Sequence, residues 1–136
     1  MRSGFLLLAA LSGFIAVGLG AFGAHGLKHE VSAPMLATFN TGVEYQFYHT
    51  FALMIVAIIG HWFKSRLLDW AGYLFMLGIA LFSGSLYLYV LLGTKWVVLM
   101  TPLGGVCLLL GWLLIATTVW RNRVNEFSPP HKTGVQ

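Results

Sequence analysis

WAGYLFMLGIALFSGSLYLYVLLGT, residues 70 to 94, runs for 25 residues without a charged side chain. As an α-helix rising 1.5 Å per residue it is about 37 Å long, enough to cross a hydrocarbon core about 30 Å thick. Three further stretches have the same character: Ser3 to Leu27 (25 residues), Tyr45 to Phe63 (19) and Trp96 to Trp120 (25). Lipid offers no partner for backbone N–H and C=O groups, so apolar runs of this length close their hydrogen bonds internally as helices. The alternation of apolar and polar residues that barrel strands require is absent. The sequence therefore predicts an all-α integral membrane protein, with four transmembrane helices in an antiparallel bundle and spans near 4–25, 42–63, 70–92 and 96–120.

Composition supports this class. Of the 136 residues, 58% are hydrophobic and 9% charged, against about 25% charged in ordinary soluble domains, and mean hydropathy is +0.81. The net charge of +4 does not point to nucleic acid, because the charges sit between the spans. Arg2, Lys64, Arg66, Arg121, Arg123 and Lys132 fall on one side and Lys28 and Lys95 on the other, which places both termini in the cytoplasm by the positive-inside rule. A cleaved signal peptide is the alternative for the first span. Its apolar run of about 20 residues exceeds the roughly 7 to 15 of a signal segment, so retention is expected. Cys107 is the lone cysteine and lies inside span four, which excludes an internal disulfide.

Organisation is simple: one membrane domain over residues 1–123 and a tail, 124–136, expected to be disordered because it carries Pro129-Pro130 and few apolar residues. Ser32 and Pro34 resemble a helix start. A helix from Ala33 to Trp62 would be about 45 Å long, so a bend near Asn40 to Gly42 is expected, with 33–41 an interfacial helix. Ser12, Ala16, Gly20 and Ala24 recur every four residues as a small-residue ridge for helix packing, and Gly84, Gly104 and Gly105 are further packing positions. Gly18 to Gly23 also spells G-x-G-x-x-G, but no strand precedes it and no amphipathic helix follows, so packing is the reading there too.

Polar and backbone-permissive residues within the spans collect in four stretches: Gly18 to His25, Glu44 to Thr50, Ser83 to Tyr87 and Thr101 to Gly105. With the topology above, all four fall in the outer half of the bilayer, with His49, Ser83, Ser85 and Thr101 about 8 to 14 Å deep. Ionisable groups at membrane depth are costly and mark candidate sites. Glu44 is the carboxylate nearest a span's interior, unless it stays hydrated at the headgroups. His49 lies about 140° from it around the helix. Ser83 and Tyr87 share a face with Ala80 and Gly84 and are expected to look inward, with Ser85 and Tyr89 pointing largely the other way. No base stands beside either serine, which argues against a nucleophile. Pro102 removes a donor and crowds the Val98 carbonyl, bending span four or freeing that carbonyl. His25 and His29 are four apart, and Glu44 or His49 would complete a zinc set, but no second fixed pair exists; no metal or cofactor is assigned.

The segments GAFGAHG, EYQFYHT, LFSGSLY and TPLGG, with Gly111 and Trp112 beyond, resemble the YgdD-like family of small bacterial inner-membrane proteins. The resemblance covers Gly13 to Trp112. It implies a four-span inner-membrane protein of no established activity, substrate or cofactor, and it directs attention to His25, Glu44, Gln46, His49, Ser83, Tyr87, Thr101 and Pro102. Three functions remain open: a non-enzymatic module packing on itself or on a membrane-protein partner within the lipid bilayer, a small transporter or ligand-binding bundle, and a metal-assisted intramembrane enzyme.

Overall fold

The computed structural model describes residues 2–127, and among these every regular element is helical. Four long helices follow one another: α1 (Arg2–His25), α2 (Ala33–Trp62), α3 (Arg66–Leu92) and α4 (Met100–Phe127). All four are long and apolar enough to cross a membrane. Short 3-10 turns, Leu27–His29 and Lys95–Leu99, lead into α2 and α4.

Local chemistry sets the helix ends. Ser65 caps α3, which starts at Arg66, four residues before the expected boundary, its hydroxyl accepting the Leu67 N–H at 3.2 Å, and Asp69 in the first turn complements the helix dipole. Gly93, at φ 66°, ends α3 in the left-handed conformation that a glycine adopts without a Cβ clash. Pro34 stands in the first turn of α2, as expected, although Ser32 makes no side-chain capping bond.

Three expectations about the course of the helices need correction. The α2 helix is continuous through Asn40 to Gly42, because Gly42 keeps helical geometry and its missing side chain accommodates Tyr87 of α3. A Cβ at Gly42 would lie 2.8 Å from the Tyr87 ring. In span four, Pro102 does not bend a helix interior. It falls in the first turn of α4, where backbone N–H groups lack intrahelical partners in any case, and the Val98 carbonyl shares the Met100 N–H with Val97. The α4 helix continues to Phe127, so 124–127 are helical, and the rest of the tail expected to be disordered lies outside the described residues.

Successive helices pack as neighbours: α1 on α2, α2 on α3, α3 on α4. Contact between α2 and α4 is slight, and α1 does not close on α4. The helices therefore form a row, with α2 and α3 covered on two sides. In an 18-residue apolar window, 44% of α2 and 33% of α3 are buried, against 17% for each of α1 and α4.

Two apolar clusters lie along the row. The one nearer the N-terminus of α1 joins Phe5, Ala9, Leu53, Val56, Leu68, Phe75 and Leu108. The other, nearer the start of α2, is built on Leu27, Phe39 and Val90. Between them α1, α2 and α3 present Ser12, Gln46, His49, Thr50, Ser83 and Ser85, a polar belt across the row.

The small-residue ridge of α1 serves packing through Ser12, Ala16 and Gly20, with Ala16 fully buried and Gly20 facing Val43. Ala24 is exposed, and Gly23 takes its place against Phe39. At 3.6 residues per turn, residue 24 has drifted about 120° from residue 12, whereas residue 23 returns to within about 20°. A Cβ at Gly84 would meet no other helix within 4 Å and Ala80 is exposed, so neither is a close-packing position. Gly104 does: a Cβ there would strike the backbone of Phe82 on α3, whereas Gly105 is in ordinary contact with that ring.

Gly104→Ala should therefore lower stability by about 1–3 kcal/mol through overpacking against main chain, whereas Gly84→Ala should change it by less than about 0.5 kcal/mol. Reversible unfolding in mixed detergent micelles measures both.

Candidate functional site

Gln46 is the centre of the polar belt. Its Oε1 accepts from the Tyr87 hydroxyl at 2.7 Å, and its Nε2 donates to the Ser12 carbonyl at 3.0 Å, with a longer 3.4 Å contact to Ser12 Oγ. Thr50 Oγ1 donates to the Gln46 carbonyl at 2.7 Å. That bond uses the threonine proton, so in the 2.7 Å contact between Ser12 and Thr50 the Ser12 hydroxyl is the donor. One amide thus joins α1, α2 and α3. The geometry depends on Phe39, Gly42 and Gln46 sharing a face of α2. The Tyr87 ring packs on Phe39 with centroids 5.0 Å apart and passes over Gly42 to reach the amide.

A second bridge ties α3 to α4. Ser85 Oγ donates to the Phe82 carbonyl at 2.8 Å, so the 2.7 Å contact with Thr101 has the Thr101 hydroxyl as donor. Ser85 is 2% exposed. Its expected outward orientation is corrected: it does point away from Tyr87, but α3 is covered by α2 on one side and by α4 on the other, so both faces are interior. Ser83 is buried as expected, at 1% exposure, and its hydroxyl has no hydrogen-bond partner.

His49 is buried among aromatic rings of three helices. Tyr45 stacks on it at 5.9 Å, and Phe75 and Trp112 lie at 5.8 and 6.3 Å between centroids. Its Nδ1 is 2.7 Å from the Tyr45 carbonyl. A carbonyl only accepts, so Nδ1 carries the proton and Nε2 is the acceptor. The bond is to its own helix rather than to a neighbouring one.

The remaining candidates do not join this belt. Glu44, His25 and Pro102 are exposed. Among the described residues no group of three or more histidine, cysteine, aspartate or glutamate side chains is assembled that could hold a metal ion, so His25, His29, Glu44 and His49 are not brought together. Two members of the belt, Ser12 and Thr50, are not among the candidates that the sequence singles out. Ser12 reads there as a packing position, although a hydroxyl in mid-span is itself a signal of an interhelical bond, and Thr50, within the polar stretch from Glu44, stands one turn from Gln46 on the same face. Chemically, the belt is a set of neutral hydrogen-bonding groups satisfied mainly by one another. It holds no carboxylate and no nucleophile paired with a base.

Gln46→Leu leaves the Tyr87 hydroxyl without its partner, and a double-mutant cycle with Tyr87→Phe should return a coupling of about 0.5–1.5 kcal/mol. Glu44→Gln should change unfolding free energy by less than about 0.5 kcal/mol. Equilibrium unfolding of the single and double variants in micelles tests both values.

Comparison with known proteins agrees with this picture of a small membrane domain. The family described as "Protein of unknown function (DUF423)" matches residues 19–105. A UPF0382 membrane protein of Staphylococcus aureus is 41% identical over 117 residues, covering 86% of this chain and 95% of the relative. The UPF0382 inner membrane protein YgdD of Escherichia coli is 43% identical over 121 residues, covering 85% and 88%. The UPF0382 membrane protein YwdK of Bacillus subtilis is 40% identical over 112 residues, covering 82% and 91%. No solved structure matches the chain. With a match across most of the membrane region and relatives at this identity over nearly their whole length, the chain belongs to the DUF423 family of multi-pass membrane proteins of unknown function.

Proposed function

We propose that this inner-membrane protein is a non-enzymatic module that associates laterally with further copies of itself or with another membrane protein. The observation that carries the reading is the open row. The outer faces of α1 and α4 bury little within the chain, and Phe14 at 80% and Leu109 at 71% exposure present broad apolar surfaces away from it. A four-helix bundle covers such faces by closing α1 on α4. Here they are available to neighbours in the bilayer. The absence of a catalytic role is supported by the belt, whose Ser12, Thr101 and Tyr87 hydroxyls and Gln46 amide are occupied in holding helices together.

The topology that goes with this reading has successive helices antiparallel and both termini in the cytoplasm. Its support is the charge distribution, six basic residues against two, together with the short connections 26–32, 63–65 and 93–99, which return each helix beside the last.

Mass measurement of the native protein in mild detergent should give a defined oligomer or a complex with a co-purifying membrane protein. Disulfide trapping through Phe14→Cys or Leu109→Cys, in a Cys107→Ser background, should capture the contact. A strictly monomeric protein without a partner overturns the proposal. Reporter fusions after residue 127 should report a cytoplasmic C-terminus; a periplasmic one overturns the topology.

A further inference from the structure

Where α2 begins and α3 ends, a pocket of about 410 Å³ opens between the first turns of α2, the last turns of α3 and the 3-10 turn that leads into α4. Thr38, Leu86, Tyr89, Lys95 and Val98 line it, and its volume is in the range of small-molecule sites. Lys95 is the one charged residue of the lining, which contains no carboxylate. Among the described residues, the side chains of Lys95 and Tyr89 make no hydrogen bond or ion pair.

Donors and acceptors define what fits. The Lys95 ammonium and the Tyr89 hydroxyl can both donate to a ligand. Thr38 cannot, because its hydroxyl already donates to the Pro34 carbonyl at 3.0 Å, which leaves only its lone pairs. The pocket therefore matches an anion that accepts from two donors, joined to a neutral group that donates to Thr38.

Depth narrows the choice further. Thr38 lies about 6 Å outside the span expected to start at residue 42, and Leu86 lies about 9 Å inside the end of α3 at Leu92. The pocket thus crosses the level where headgroups meet hydrocarbon. Seven residues on from Thr38 along α2 is Tyr45, and seven back from Tyr89 along α3 is Phe82, each two turns deeper on the same face. Their rings stack with centroids 4.6 Å apart, Tyr45 is 39% exposed, and contact between α2 and α4 is slight. An apolar track therefore leads from the pocket toward the bilayer centre.

We propose that this pocket binds an anionic phospholipid whose only charge is its phosphate and whose head is a neutral polyol, the chemistry of phosphatidylglycerol. The phosphate oxygens accept from Lys95 and Tyr89, a head hydroxyl donates to Thr38, and one acyl chain descends over Leu86 and Phe82. A zwitterionic lipid would bring a second cation beside Lys95, with no carboxylate in the lining to receive it. The site lies at the end of the row and not on the outer faces invoked for lateral association, so either inference can fail while the other stands.

The test is titration of the delipidated full-length protein in non-ionic detergent with palmitoyl-oleoyl phosphatidylglycerol, bound lipid being counted by native mass spectrometry. Phosphatidylethanolamine with the same chains is the comparison, and soluble glycerol phosphate, a head without chains, is the competitor. One phosphatidylglycerol per chain should bind saturably, at least about fivefold tighter than phosphatidylethanolamine, and glycerol phosphate should not displace it. Lys95→Gln should weaken binding at least about fivefold, whereas Lys64→Gln, at the opposite end of the helices, should leave it unchanged. Val98→Trp, which fills the pocket and keeps its charge, should weaken binding by a similar factor. Equal affinity for the two lipids, displacement by glycerol phosphate at matched concentration, or an equal loss in Lys64→Gln overturns the proposal, as does undiminished binding to Lys95→Gln or to Val98→Trp. Should Val98→Trp fail to fold, Lys95→Gln, at an exposed position, decides alone.

Discussion

The hydrocarbon core contains no water with which a polar group can pair, and the rest of this structure follows from that constraint. It makes each apolar run a helix, since only a helix satisfies its own backbone. It then acts on the side chains. A hydroxyl or amide in mid-span is favoured to bond its own preceding turn or to reach a neighbouring helix, and the Ser83 hydroxyl is the exception here. Thr50, Thr117 and Thr118 take the first course through carbonyls four residues earlier. Gln46, Ser12, Tyr87 and Thr101 take the second, and their choices set which helices are neighbours and at what relative depth.

Close approach and hydrogen bonding support each other here. The Tyr87 hydroxyl reaches Gln46 because Gly42 lets its ring lie against the α2 backbone, and the Ser85–Thr101 pair forms because Gly104 lets α4 approach Phe82. Lipid tails are as apolar as leucine, so no hydrophobic force draws the helices together; packing at small residues and a few polar bonds provide the association. The polar belt, with an apolar cluster on either side, fixes the register of α1, α2 and α3 without an ion pair in the belt itself.

The row arrangement connects architecture to function. Each helix packs on the next, so α1 and α4 keep wide lipid-facing surfaces. In a water-soluble domain such surfaces would be a liability; in a membrane they are available to lipid, to a second copy or to another protein. The family assignment adds the location but no chemistry, and the belt of neutral groups is consistent with a protein that binds or assembles rather than one that makes and breaks bonds.

Much was legible from the amino-acid sequence by itself: four spans, the membrane location, the family, and the residue types from which an interior site could be built. These are one-dimensional properties, set by the length and charge of each run and by the identity of Gln46, His49, Ser83, Tyr87 and Thr101. Tertiary structure alone decided how those residues are used. Glu44 and His25 stand in the same motifs yet face outward, and Ser85 is buried on the face of α3 opposite Tyr87, because burial depends on how many sides of a helix have neighbours. Ala24 and Gly84 look like packing positions by spacing, but a 3.6-residue turn carries Ala24 off the ridge and no helix covers Gly84. Whether α1 closes on α4 was likewise outside the reach of a local pattern, since it is set by contacts between residues about a hundred positions apart.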